Sequence, residues 1–162
     1  MIDSVKLITY NTWANRKIAE QVEGLPNELF SKEVGGSFPS IKLTLIHLLE
    51  SDWLWMNRWN GIPCADVPVD WSITDASSII NLWTPIQNEI EERVKEIGNN
   101  QHKEISFITK KGDPYSLPSL DIVIHLTNHG TYHRGQIANM IRMLGEKPPS
   151  TDYFIFCALQ NK

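Results

Sequence analysis

The chain has 162 residues, enough to bury a core as one domain, with 41% apolar and 21% charged residues as in ordinary soluble proteins. Its net charge of −4 excludes a general electrostatic attraction to nucleic acid, and Lys110–Lys111 is only a pair beside a turn. No segment approaches the ~20 apolar residues of a membrane span, and the N-terminus lacks a signal-type apolar run, so a cytoplasmic protein without membrane contact is expected.

The first helix is expected over Ser4–Glu23, with Ser4 as N-cap and Gly24 and Pro26 ending it. GGSFPS at 35–40 reads as a loop. Ser40 then caps a second helix that stops near Gly61–Pro63, before a loop rich in Pro and small residues. A third helix starts near Thr74 as N-cap, contains Pro85 as a possible kink point, and closes at Gly98 and the two asparagines after it. ISFIT, KKGDP and YSLPS read as strand, turn and short return, a small β-hairpin. The fourth helix runs from Ser119 to Leu144, with Gly145 at its end and Pro148–Pro149 beyond. The apolar tail TDYFIFCALQ packs as a short helix or turn. Four long helices with short connections imply an all-α four-helix bundle. Only the connection carrying the hairpin is longer, about twenty residues. The six tryptophans read as core filling. Cys64 and Cys157 read as reduced, incidental thiols.

On the fourth helix, Ile122, Leu126, His129, His133, Ile137, Met140 and Leu144 fall within a stripe about 80° wide. His129 and His133 occupy its middle, where a bundle normally places Leu or Ile. Four residues apart, both imidazoles leave one face of the helix, the arrangement of a bidentate metal site. Buried unpaired ring nitrogens are costly, and a cation satisfies one on each ring. His125 lies about 80° from His133 on the same geometry, and with Asn128 and Tyr132 is assigned to packing or support. A third ligand should come from a facing helix, where the second helix offers His47, Glu50 and Asp52. Asp52 lies on that helix's main apolar stripe and His47 on another apolar side, so spacing leaves these two open. A His, His, Asp set would resemble the facial triad of non-haem iron sites.

YNTWAN at 10–15, SFPSIKLTLIHLLESDWLW at 37–55 and NHGTYHRGQIANMIRMLG at 128–145 together resemble the DinB family of bacterial proteins, in order and spacing, over nearly the whole chain. The resemblance implies a DinB-like four-helix bundle and a metal site of three histidines, here His47, His129 and His133. Asp52 then becomes a supporting or pocket carboxylate, and Arg134 and Gln136 match the motif and read first as structural. It further implies a homodimer and a small-molecule substrate. The reactions it suggests are thiol S-transfer using a low-molecular-weight thiol such as bacillithiol or mycothiol, and metal-dependent hydrolysis. Zinc or nickel heads the list of divalent ions, with iron and manganese also compatible, since ligand type alone does not separate them. The alternative is a non-catalytic metal- or small-ligand-binding protein of the stress response.

Overall fold

In the computed structural model, which describes residues 2–63, 65–69, 71–98, 100 and 102–160, the chain is mostly helical. Its elements are α1 (Ser4–Glu23), α2 (Asn27–Ser31), α3 (Ile41–Trp59), α4 (Ala76–Ile97), β1 (Glu104–Ile108), β2 (Pro114–Pro118), α5 (Ser119–Met143) and α6 (Tyr153–Gln160). The four long helices form the bundle. α1 packs on α4 and α5, and α3 packs on the same two, which puts α1 and α3 on one diagonal.

Side-chain pairs fix the directions. Thr9 meets Glu91 and Glu23 meets Ser77, so α1 and α4 are antiparallel. Asp52 meets Trp83 and Asn60 meets Glu89, so the adjacent α3 and α4 run parallel. Thr44 meets Met140 and Trp55 meets His125, so α3 and α5 are antiparallel. This topology corrects the expectation of short connections. A parallel neighbour obliges the chain after α3 to travel back along the 19-residue helix, about 28 Å, before α4 begins. Residues 60–75 join α3 to α4, while 24–40 join the diagonal pair α1 and α3 and 98–118 the other diagonal pair, α4 and α5.

The helix starts differ from expectation by one residue in two places. Asp3, not Ser4, caps α1, its carboxylate accepting from the Lys6 amide, and Ser4 is already helical and buried. Asp75, not Thr74, caps α4, in a capping box completed by the Ser78 hydroxyl. Ser40 caps α3 as expected. Pro85 sits within an unbroken α4 and faces solvent. The carbonyl it deprives of a partner, that of Asn81, belongs to an exposed residue and is open to water. Gly145, with φ +86°, turns the chain out of α5 in the left-handed conformation that glycine adopts without strain.

The core joins the inner faces of all four helices. α2, a single turn that no periodic signal marks, drives Phe30 fully into it. Trp55 and Trp83 are buried there, Trp53, Trp59 and Trp71 pack against it half-covered, and Trp13 joins a second cluster around Tyr10 and Phe156. α6 docks on α1 through Phe156, and the Tyr10 hydroxyl donates to the Thr151 carbonyl at 3.0 Å. The hairpin is antiparallel, with Ser106 opposite Ser116. It buries Ile105 and Phe107 against the bundle. Cys157 is a free, half-buried thiol; Cys64 lies outside the described residues. No helix among the described residues is long and apolar enough to cross a membrane.

Candidate metal centre

The core-facing side of α5 is rotated from the stripe drawn on the sequence. Its buried residues include Val123, Thr127, Gly130, Arg134 and Ile141 besides Ile122, Leu126, His133, Ile137 and Met140. The centre of that face lies roughly 50° further round the helix, on ideal helical geometry. His129 and His133 therefore occupy one flank. His133 is buried, His129 half-buried and His125 exposed. A flank position gives two imidazoles a fixed base and still leaves one side open.

α3 presents His47 to that flank. The antiparallel pairing of α3 and α5 brings His47 Nε2 within 3.1 Å of His129 Nε2. The ring centroids of His47 and His133 are 4.6 Å apart, those of His129 and His133 4.5 Å. One nitrogen from each of the three rings lies within 4.8 Å of the other two, and this is the group of three potential ligands found among the described residues. Phe38, in the loop before α3, stacks on His47 at 4.3 Å and meets His133 edge-on at 5.7 Å. His125 stacks on His129 at 5.7 Å and leans on Trp55 at 5.4 Å.

The donor set and its spacing fit a first-row divalent ion. Four ligands held tetrahedrally at 2.0–2.1 Å from zinc lie about 3.3 Å from one another, close to the 3.1 Å between the two Nε2 atoms. The rings are also in the right protonation state. Burial, then the neighbouring His133, His47 and His125, lowers His129 to about 4. Burial lowers His47, helped by His133 and Lys110. Burial lowers His133, against its hydrogen bond to Gln136. All three are neutral at pH 7, the form that binds metal.

Asp52 is placed elsewhere. Five residues from His47, it leaves α3 about 140° round the helix and points into the bundle, where its carboxylate accepts from Trp83 Nε1 at 2.7 Å. Burial pushes it up to about 6, against the hydrogen bond from Trp83, the neighbouring Gln87 amide and the charge of Arg134. It lines a cavity of about 10 Å³ with Asn11, Thr12 and Gln87, space for about one water. The structure thus brings His47, His129 and His133 together and leaves Asp52 outside that group.

The two other motif residues separate. Arg134 is buried and turned to α1, donating from Nη1 to the Oδ1 atoms of Asn11 and Asn15 at 2.7 and 2.6 Å and from Nη2 to Thr131 Oγ1 at 2.9 Å. The Asn-x-x-x-Asn spacing within YNTWAN is what places both acceptors on one face of α1. Gly130 makes room for this, because a Cβ there would stand 2.5 Å from Asn11 Oδ1 and 2.6 Å from Arg134 Nη1. Gln136 instead reaches His133: its Oε1 lies 2.7 Å from Nδ1. The sequence reading missed this contact and the Phe38 cover. The i,i+3 spacing of His133 and Gln136 was the available signal for the first; nothing local marks the second.

The DinB family model matches residues 1–162. Protein DinB of Bacillus subtilis (strain 168) is 30% identical over 164 residues, covering 93% of this chain and 91% of that protein. The crystal structure of a DinB-like protein from Bacillus cereus ATCC 10987 superposes with a TM-score of 0.65 at 20% identity, covering 88% of this chain and 91% of that one. At that identity the likeness concerns the fold.

Proposed function

The chain belongs to the DinB family, and from that premise we propose that it binds a divalent metal ion through His47, His129 and His133 and uses it in thiol S-transfer or hydrolysis on a small molecule. The observation that carries this reading is the convergence of three neutral imidazoles from two helices within 4.8 Å at the flank of the bundle. A divalent ion held by three neutral ligands keeps its full charge and an open position, and supplies Lewis acidity toward a bound water or thiol.

The protein's own residues orient and exclude. α3 and α5 are rigid elements, so the three rings hold their spacing without metal. Phe38 covers His47 and the edge of His133, removing water from that side. His125 backs His129 from the other. Zinc or nickel suits three imidazoles, and iron and manganese remain compatible with the donor set.

A second reading, metal or small-ligand binding without turnover, is favoured by one feature: among the described residues no carboxylate oxygen joins the three histidine nitrogens within 4.8 Å. Elemental analysis of protein purified without a histidine tag tests the shared part of both readings. About one equivalent of metal is expected, lost in His129→Ala and His133→Ala; equal metal in both variants refutes the site. Thiol-transfer and hydrolysis assays on the loaded protein, with low-molecular-weight thiols and a panel of electrophiles and esters, then separate the two. Turnover lost in His133→Ala supports the enzyme, and none across the panel leaves the binding protein. Homodimer assembly belongs to the same proposal and is checked by sedimentation equilibrium.

A further inference from the structure

We propose that Gln136 is a positioning residue for the metal site, holding His133 in the tautomer that carries its proton on Nδ1 and offers the Nε2 lone pair to the cluster. The inference rests on the metal reading above for its consequence, and on geometry alone for the tautomer.

An amide oxygen only accepts hydrogen bonds. With Gln136 Oε1 at 2.7 Å from His133 Nδ1, the proton of a neutral ring must sit on Nδ1. Nε2 is then unprotonated. The contact is built into the helix, since residues three apart share a face. The ring has little freedom to leave it: His133 is buried, Tyr132 meets it edge-on at 5.0 Å and Phe38 at 5.7 Å.

His47 and His129 differ. Their Nε2 atoms face each other at 3.1 Å, so in the metal-free protein one of the two carries a proton that a metal must displace. Among the described residues neither ring has a side-chain amide or carboxylate hydrogen-bonded to it. His133 is the ligand that is ready before the metal arrives. The choice of an amide also matters. A carboxylate at 136 would hold the same tautomer but add a negative charge to a site whose three ligands are neutral. Gln136 fixes the ring and leaves the charge of the ion undiminished.

The opposite amide orientation makes the opposite prediction. With the amide nitrogen toward Nδ1, the proton would sit on Nε2 and point into the cluster. Long-range ¹H–¹⁵N correlation spectra of uniformly labelled, metal-free protein at pH 7.5 separate the two. The expected result is a His133 ring protonated on Nδ1, shifting toward Nε2 protonation in Gln136→Leu and retained in Gln136→Glu. Zinc affinity, measured by competition with a chromophoric chelator, is expected to fall about 10–100-fold in Gln136→Leu and to be kept in Gln136→Glu. A His133 protonated on Nε2 in the parent protein, or a tautomer and zinc affinity unmoved by Gln136→Leu, overturns the proposal. If Gln136→Leu fails to fold, the tautomer in the parent and in Gln136→Glu still decides. A parent protein that binds no zinc sinks the metal reading instead, while the tautomer measurement stands on its own.

Discussion

The two glycines of α5 flanking Arg134 should respond to the same substitution with opposite signs. Alanine in a helix interior is favoured over glycine by about 0.8–1.0 kcal/mol. At Gly135 a Cβ meets nothing within 4 Å, so Gly135→Ala should stabilise the protein by up to about 1 kcal/mol. At Gly130 the Cβ would stand 2.5 Å from Asn11 Oδ1 and 2.6 Å from Arg134 Nη1, inside any real contact distance. Both groups are buried and hydrogen-bonded, and neither can swing to solvent. A hydrogen bond to a charged group contributes about 1.5–3 kcal/mol. Displacing one or both Arg134–asparagine bonds, less the helical gain, gives a net loss of about 0.5–5 kcal/mol for Gly130→Ala. For a chain of this size that corresponds to a fall in Tm of roughly 1–20 °C. Guanidinium denaturation followed by circular dichroism, with the denaturant slope unchanged, measures it. If Gly130→Ala is as stable as Gly135→Ala, the Arg134 cradle does not hold α5 against α1 as described.

Three other outcomes follow from the same geometry. Asp52 has a folded pKa of about 6, above its unfolded value near 3.8, so the folded state binds more protons between them; its contribution to stability grows as pH falls through 6 toward 4, by at most about 3 kcal/mol. Denaturation at pH 7.5 and pH 4.5 should therefore show this gain in the parent relative to Asp52→Asn, and identical pH profiles would refute it. Zinc at about 100 times its Kd should raise the stability of metal-free protein by about 2.7 kcal/mol, with no rise in His133→Ala; calorimetric melts of the two proteins are the check. Phe38→Ala removes the ring stacked on His47, which costs about 0.5–1.5 kcal/mol beyond lost burial, and should weaken zinc binding more than Tyr115→Ala in the hairpin, as competition titrations would reveal.

Much of the architecture follows from local patterns. Ser40, Gly98 and Gly145 mark helix boundaries because caps and left-handed turns act within a few residues. The errors at Ser4 and Thr74 arise because adjacent residues both had capping side chains, and only backbone geometry chooses between them. α2 was invisible because five residues are too few for a periodic signal, and its helix is held by Phe30 in the core. The face of α5 was misplaced because Thr127, Gly130 and Arg134 look polar or neutral in a hydrophobic count, although Arg134 is buried by partners on α1.

The spacing of His129 and His133 by itself determines that two imidazoles leave one side of one helix, because helical pitch is local. It also determines that Gln136 stands one turn from His133. It does not determine that His47 rather than Asp52 meets them. Both residues lie on apolar sides of α3, and the choice depends on which side the bundle turns toward α5. That is decided by the parallel packing of α3 on α4, which draws Asp52 inward to Trp83 and leaves His47 facing the flank. Helix orientation in a bundle is set by contacts between residues far apart in the chain, and only the assembled structure contains them.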